Sequence, residues 1–481
     1  MSHVQSAVQN AVQSVVQRAR QSISESVARA MGNSERPHRS GPDLPPGPTS
    51  PAALQLAAFL YEPQFFLKAL RETHGEIVTL RLPGMFNIVQ VSQPAHVKEM
   101  FRVRSDVAGA GKANAILKPF LGPHSLLMLD GKRHMRHRRL MMPPFRGERM
   151  RAYETEIRSV TRSALKRFPT DEVFKLQPRH QDITLDVIMS TVFGIAEPGP
   201  LRSLLQRALR MLDNPLYILE YVQKDLGPLS PWGRYLRLRR EIQAALMSHI
   251  EASRQDPNIE SRHDILSMLL LARDEEGEPL SDDEVHDELI TMLIAGHETT
   301  ATALSWTMHR LTRHPEVLSR AVAEVDASGD EDGAALPYLD AVIRESLRIH
   351  PVVPGVGRVL EKPFTLAGYD LPAGTMIGCS IILAHTNENV WPDAERFKPE
   401  RFLDHRPPPD TYFPFGGGVR RCIGEAFALF EMRVVLREVL RTFAPEASGE
   451  TIRSVRRNIT LSPSGSMPVV FRRRQMHDDP L

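Results

Sequence analysis

Cys422, one of only two cysteines in 481 residues, stands in Phe413-Pro-Phe-Gly-Gly-Gly-Val-Arg-Arg-Cys422-Ile-Gly424, directly ahead of an apolar helical run from Ala426 to Leu440. A lone sulfur becomes a good ligand only when deprotonated, and flanking cations with amides released from secondary structure favour that state. Gly416, Gly417 and Gly418 let the backbone fold around the sulfur, and Gly424 lets a flat ligand lie close to the main chain. The loop is therefore where a metal-binding thiolate is expected.

Cys379 lies in the apolar run Met376 to Leu383 and reads as a small buried hydrophobe. Two cysteines exclude a disulfide framework, a four-cysteine zinc site and a second, iron–sulfur, cluster; a reducing compartment fits. Hydrophobic residues at 42% and charged residues at 25% describe an ordinary globular chain, and a net charge of +2 gives no reason to expect nucleic acid. No window reaches the roughly 18 apolar residues of a membrane span. Near the N-terminus, Val4, Ala7, Val8, Ala11, Val12, Val15, Val16 and Ala19 form a narrow apolar helical stripe, too broken for a secretory signal. It reads either as a weak peripheral contact with an acidic membrane or as an appendage or self-association segment. Gly41 to Pro48 then forms a stiff proline-rich hinge.

Along the chain, Pro63–His74 is expected as a helix, Glu76–Leu82 and Phe86–Val91 as strands joined by Pro83-Gly84, and β-like runs return at Phe364–Leu371, Thr375–Leu383 and Thr460–Phe471. Ser281-Asp-Asp-Glu284 is a capping box ahead of Leu289, Met292, Leu293 and Ile294, so a long helix should start there and stop at His314-Pro315. Within it, Gly296 and the adjacent Thr299 and Thr300 weaken helix propensity, a departure that suits a site. A zinc-protease reading of His297-Glu298 fails because the second histidine would have to stand at Ala301.

Phe415, Gly418, Arg420, Cys422 and Gly424 fill the pattern Phe-x-x-Gly-x-Arg-x-Cys-x-Gly, and by it the chain resembles a cytochrome P450 of the soluble bacterial type. The length alone suggests two or three domains, but the resemblance implies one: a mainly α fold with a small β component, the cytochrome P450 fold, over residues 49–474, after an extension and hinge at 1–48 and before a tail at 475–481. It further implies haem b ligated through Cys422, dioxygen as co-substrate, and Ala295, Gly296, Glu298 and Thr299 as the oxygen-activation segment. There Thr299 would hydrogen-bond dioxygen, the helix would open locally at Gly296, and Glu298 would belong to the proton relay. The plain alternative is a solvent-facing Glu298 and a Thr299 bonded to the carbonyl one turn back.

The resemblance also makes His134, Arg138, Arg358 and Arg420 contacts of the haem propionates, and Glu345, Arg348 and Arg401 a buried structural cluster; bare spacing would make Glu345 and Arg348 a surface ion pair. The remaining cations of the block, Lys132, Arg133, Arg136 and Arg139, read as a solvated face, with partner docking as the other option. The implied activity is a haem-thiolate monooxygenase, monomeric and cytoplasmic. Its electrons would come from a separate ferredoxin or flavodoxin with an NAD(P)H reductase, docking near Arg421, Arg433 and Arg437. A peroxide-driven or nitric-oxide-reducing relative and a haem-binding sensor or carrier are the competing readings. Val107–Phe120, Leu204–Tyr221, Ile290–Thr300, Pro351–Val356 and Ser462–Met467 would line a pocket for a hydrophobic small molecule such as a fatty acid, terpene or steroid.

Overall fold

The computed structural model describes residues 44–82, 86–146, 149–196, 199–212, 223–228, 230–329, 333–449, 452–457 and 459–474. The Val/Ala stripe, the first part of the hinge and the tail at 475–481 lie outside them. Two compact units share the chain, one comprising the described residues up to 108 with 354–384, the other comprising 109–353 and the described residues from 385 onward.

In the first unit proline starts two of the longer helices, α2 (Pro63–His74) and α3 (Pro94–Arg102), which follow α1 (Ala52–Tyr61). Pro63 and Pro94 each take the first helical position, where a missing N–H costs nothing and the fixed φ suits the helix. Strand Ile77–Arg81 pairs antiparallel with Asn87–Val91, which runs parallel to Met376–Ser380. Met376–Ser380 pairs antiparallel with Gly355–Leu360 on its other side. Cys379 thus lies between Val91 and Val356, is fully buried, and points its sulfur at Met100 Sδ, 3.0 Å away. Burial pushes its thiol pKa far up, which makes it an inert core residue. The run Thr375–Leu383 departs from the strand expectation: the strand ends at Ser380, and Ile381–His385 turns helical. The N–H groups of Ile381 and Ile382 both donate to Pro354 O, at 2.9 and 3.3 Å, so a distant carbonyl takes the place of a ladder partner.

The second unit is helical: α4 (Gly131–Met141), α5 (Arg149–Leu165), α6 (Leu176–Thr191), α7 (Pro200–Leu212), α8 (Pro231–Arg254), α9 (Asp282–Arg313), α10 (Pro315–Ala327), α11 (Pro337–Ile349) and α12 (Glu425–Thr442). At 32 residues, α9 is about 48 Å long and serves as the axis of the unit. Glu284 N–H donates to Ser281 Oγ at 3.2 Å and Ser281 N–H to Glu284 Oε2 at 3.0 Å, closing the capping box. Leu289, Leu304, Met308 and Leu311 bury its apolar side, and Trp306, also buried, stacks on His350 at 3.8 Å while donating to Leu461 O at 2.9 Å. Removing a ring so placed typically costs about 3–5 kcal/mol. Strand Pro468–Arg473 lies between Val173–Lys175 and Phe443–Ala447, over a cluster of Phe168, Phe174, Phe443 and Phe471. A hairpin of Ser454–Arg457 with Thr460–Pro463 brings Ser462 to within 3.2 Å of Thr302 on α9. Helices thus dominate and the sheets are small, the class that the resemblance implied. Among the described residues no helix is long and apolar enough to cross a membrane.

Candidate active site

The cysteine loop is shaped by its glycines. Gly416 and Gly418 adopt φ of 69° and 63°, a region that side chains disfavour, which permits a turn from Phe413 O to Gly416 N–H at 2.9 Å. Cys422 N–H donates to Phe415 O at 2.9 Å, and Gly424 is the N-cap of α12. The sulfur therefore sits just before a helix N-terminus, whose partial positive charge favours an anion. By surface area Cys422 is exposed, yet protein atoms crowd the sulfur. That crowding raises the thiol pKa; Glu425 adds to the rise, while the Gly424 N–H, Arg138 and Arg421 pull the other way. A metal cation at the sulfur reverses this balance, since a coordinating thiol is held deprotonated.

His134 and Arg138 come from one face of α4. His134 is buried, and Arg138 is half-buried, with Nη1 donating to Arg421 O at 2.8 Å. Burial lowers the pKa of Arg138, Cys422 opposes that, and among the described residues no carboxylate pairs with it. A desolvated cation beside the cysteine loop fits an acid group such as a propionate. Arg420 is more fully engaged: Nη1 donates to Leu126 O at 3.1 Å and Nη2 reaches Leu129 O and the Asp130 carboxylate. Asp130 in turn accepts the N–H groups of Ala110 at 3.0 Å and Gly111 at 2.9 Å. Arg358 belongs to the first unit, where it is buried and donates to Val103 O at 2.9 Å.

Glu345 and Arg348 on α11 are completely buried, so the surface ion pair suggested by bare spacing is not what forms. Arg348 grips Glu345 with two bonds, of 2.7 and 2.8 Å, and donates to the carbonyls of His385 and Ala394, each at 2.7 Å. Arg401 Nε lies 3.4 Å from Glu345 Oε1 and its Nη2 holds Pro392 O and Asp393 O. The cluster continues through a residue that sequence reasoning missed. The ring of His385 accepts the Phe413 N–H at 3.0 Å, stacks on Tyr412, and is neutral because burial pushes its pKa down to about 3. Arg348, His385 and Phe413 thus tie the buried cluster to the start of the cysteine loop.

On α9 the segment Ala295 to Thr299 runs as continuous helix, so the local opening at Gly296 implied by the resemblance is absent. Thr299 Oγ1 donates to Ala295 O at 2.5 Å and so remains within its own turn. Across the groove, Thr184 of α6 donates to His297 O at 3.1 Å, and His297 Nε2 meets Gln181 O at 3.0 Å. These ties hold α6 along the helix where it would have to open. Glu298 does not face solvent: Gln181 Nε2 donates to its Oε2 at 2.6 Å, with Thr302 Oγ1 at 3.3 Å, Gln177 Nε2 at 3.4 Å and Ser462 Oγ at 3.5 Å around Oε1. Sequence reasoning missed these four partners: Thr302 follows at i+4 on the same helix, but no spacing rule connects Gln177, Gln181 or Ser462 to Glu298. Ala295, by contrast, is exposed within a helix whose neighbouring turns are buried.

Two other expectations are corrected. The cations proposed for partner docking are not free: Arg433 forms a two-bond pair with Asp340 at 2.7 and 2.8 Å, Arg421 pairs with Glu425, and Arg437 is buried beside Glu154. Arg136 is no solvated cation either, since it pairs with Asp274 at 2.5 Å and lies near Glu284.

Residues 44–468 match the cytochrome P450 family. Cytochrome P450 135B1 of Mycobacterium tuberculosis is 42% identical over 399 residues, covering 83% of this chain and 84% of that protein. Cytochrome P450 135A1 of the same species is 38% identical, covering 87% and 93%. Among solved structures, a retinoic acid-bound cyanobacterial CYP120A1 superposes with a TM-score of 0.78 at 26% identity, covering 90% of this chain and 100% of the other. The haem domain of cytochrome P450DA shares the fold at a TM-score of 0.75 and 22% identity, covering 89% and 95%. A sulfur presented at a helix N-terminus by a glycine-shaped loop, and a sequence shared along most of its length with these bacterial proteins, have one explanation: the chain belongs to the cytochrome P450 family, monooxygenases that carry haem b and take dioxygen as co-substrate.

Proposed function

We propose that Cys422 supplies the thiolate ligand of the haem iron, and that the substrate is a hydrophobic small molecule oxidised with electrons from a separate carrier. The observation that carries the ligand role is the placing of Cys422, exposed as a residue, in a hydrogen-bonded loop at the N-terminus of α12. Phe415, Gly418 and Gly424 shape that loop; His134, Arg138, Arg358 and Arg420 are assigned to the propionates; Glu345, Arg348 and Arg401 brace the approach to it. Bound haem supplies an iron at which dioxygen is activated, so that one oxygen atom enters a C–H bond and the other leaves as water. The protein's part is proton handling. The Thr299 hydroxyl, which here donates to Ala295 O, would turn from that carbonyl to face the haem site, and Glu298, held by Gln177, Gln181, Thr302 and Ser462, would supply the protons.

An apolar substrate is supported by the ligand named for the CYP120A1 relative, retinoic acid, and by an apolar cavity beside α9. A ferredoxin or flavodoxin with its NAD(P)H reductase, met in the cytoplasm, suits a chain whose only second cysteine is buried and which carries no dinucleotide-binding fingerprint. The test is turnover of the haem-loaded protein with a surrogate ferredoxin, its reductase and NADPH across a panel of apolar compounds. We expect at least one compound to raise oxygen uptake and to gain a single oxygen atom from dioxygen. Equal oxygen uptake with and without every compound, and no oxygenated product, would leave a haem carrier and remove the enzyme reading.

A further inference from the structure

α4 is tied to the cysteine loop on one side and to α9 on another. Arg138 Nη1 donates to Arg421 O at 2.8 Å, and Asp130, the N-cap of α4, meets Arg420, so both ties reach the two residues before Cys422. His137 stands about 100° round the helix from Arg138 and turns to α9. Its Nδ1 lies 2.7 Å from Glu288 Oε1 and its Nε2 lies 3.1 Å from Glu284 Oε1, two acids one turn apart on α9. Neither the chemistry of the site nor the Glu345 cluster uses this triad.

The side chain of His137 is 1% exposed and Glu288 is fully buried. Only an imidazolium carries N–H on both ring nitrogens, so with a neutral ring one of the two contacts requires a protonated carboxyl. Either way the triad holds one proton more than a neutral imidazole with two carboxylates. Glu284 is fixed as an anion: burial raises its pKa, but the Ser281 N–H, His137 and Arg136 together bring it below its ordinary value. Burial raises Glu288, and the bond to His137 opposes the rise. The extra proton therefore lies between His137 Nδ1 and Glu288. Without the ring, Glu288 would be stranded in the interior and this side of α4 would lose its hold on α9.

We propose that His137 is a positioning residue: by donating to Glu284 and sharing a proton with Glu288 it fixes α4 on α9, and so sets His134 and Arg138 for the acid groups of the haem. The proposal rests on the propionate assignment above and adds a residue that acts through Arg138.

Transfer of haem from the loaded full chain to apomyoglobin tests it. His137→Leu should speed transfer about tenfold or more, as is typical when a group that orients the direct contacts of a metal site is lost. His137→Gln, whose amide can donate to Glu284 while its oxygen accepts from a protonated Glu288, should stay within about threefold of the unmodified protein. Phe471→Leu, whose ring contacts are with Phe168, Phe174 and Phe443, lowers stability elsewhere and should leave transfer nearly unchanged. Unchanged transfer in His137→Leu, an equal rise in His137→Gln, or an equal rise in Phe471→Leu would overturn the proposal. Should His137→Leu not fold, Glu284→Gln decides: it keeps the helix cap but removes the charge facing His137, and should speed transfer about threefold or more. No rise there would count against the proposal as fully. Arg138→Gln separates the two readings, since it should also speed transfer. No effect of Arg138→Gln would sink the propionate assignment and this inference with it, whereas fast transfer there beside unchanged transfer in His137→Leu would sink this inference alone.

Discussion

At the scale of single residues, the two cysteines show how environment sets chemistry. Cys379 is fully buried between Val91 and Val356, and burial keeps its thiol protonated. Cys422 is crowded yet exposed, with Arg138, Arg421 and the Gly424 N–H all favouring the anion. Reduced protein with carbon monoxide should absorb near ~450 nm, the signature of a cysteine-ligated haem. Cys422→Ala should abolish the band and Cys379→Ala should preserve it; the reverse result would falsify the ligand assignment. His385 acts through others and touches no reacting atom, since it holds Phe413 N–H while Arg348 holds its carbonyl. Breaking a buried pair such as Glu345 with Arg348 strands a charge, at about 3–5 kcal/mol.

At the scale of elements, α6 and α9 together surround Glu298 with polar groups, and the proposed proton relay would depend on both. Thr299→Ala should keep the ~450 nm band and ligand binding while lowering product formed per NADPH, by roughly tenfold or more given the usual worth of a positioned proton donor. Gln181→Leu removes the shortest bond to Glu298, and should act in the same direction more weakly. Full coupling in both Thr299→Ala and Glu298→Gln would end the relay assignment. The limits of α9 were legible in the sequence because they are local: Ser281 and Glu284 cap one end and His314-Pro315 stops the other. The cysteine loop was legible for the same reason. What could not be read is what depends on distant chain. Thr375–Leu383 has the composition of a strand, but the Pro354 carbonyl captures Ile381 and Ile382 and turns the end of the run into helix. Likewise Gln177, Gln181 and Ser462 reach Glu298 only through packing, and Asp340 and Glu425 neutralise the cations that looked free for a partner.

At the scale of the whole molecule, the buried imidazoles make stability depend on pH in a stated direction. Desolvation holds His180 and His385 down to about 3, His297 and His309 to about 4, and His350 well below its ordinary value. Unfolded, each titrates near ~6.5. Between those limits the unfolded chain binds more protons than the folded one, so stability is full above about pH 6.5 and falls as pH drops toward 4. Glu431, raised well above 4.5 by burial, and Glu288, raised chiefly by burial, work in the opposite direction, because they stay protonated in the fold where the unfolded chain ionises. Five groups against two leave a net loss on acidification. Each net proton is worth about 1.4 kcal/mol per pH unit, a large fraction of a typical total stability. Urea unfolding of the haem-loaded protein, followed by far-ultraviolet circular dichroism, should therefore show a midpoint clearly lower at pH 5 than at pH 7, before ordinary surface carboxylates begin to titrate. His385→Asn, which can keep an acceptor for Phe413 N–H without a titrating ring, should flatten that dependence by about one proton. An unchanged midpoint across the interval would mean that these rings reach water, and that the core around Trp306, His350 and the cysteine loop is looser than its packing indicates.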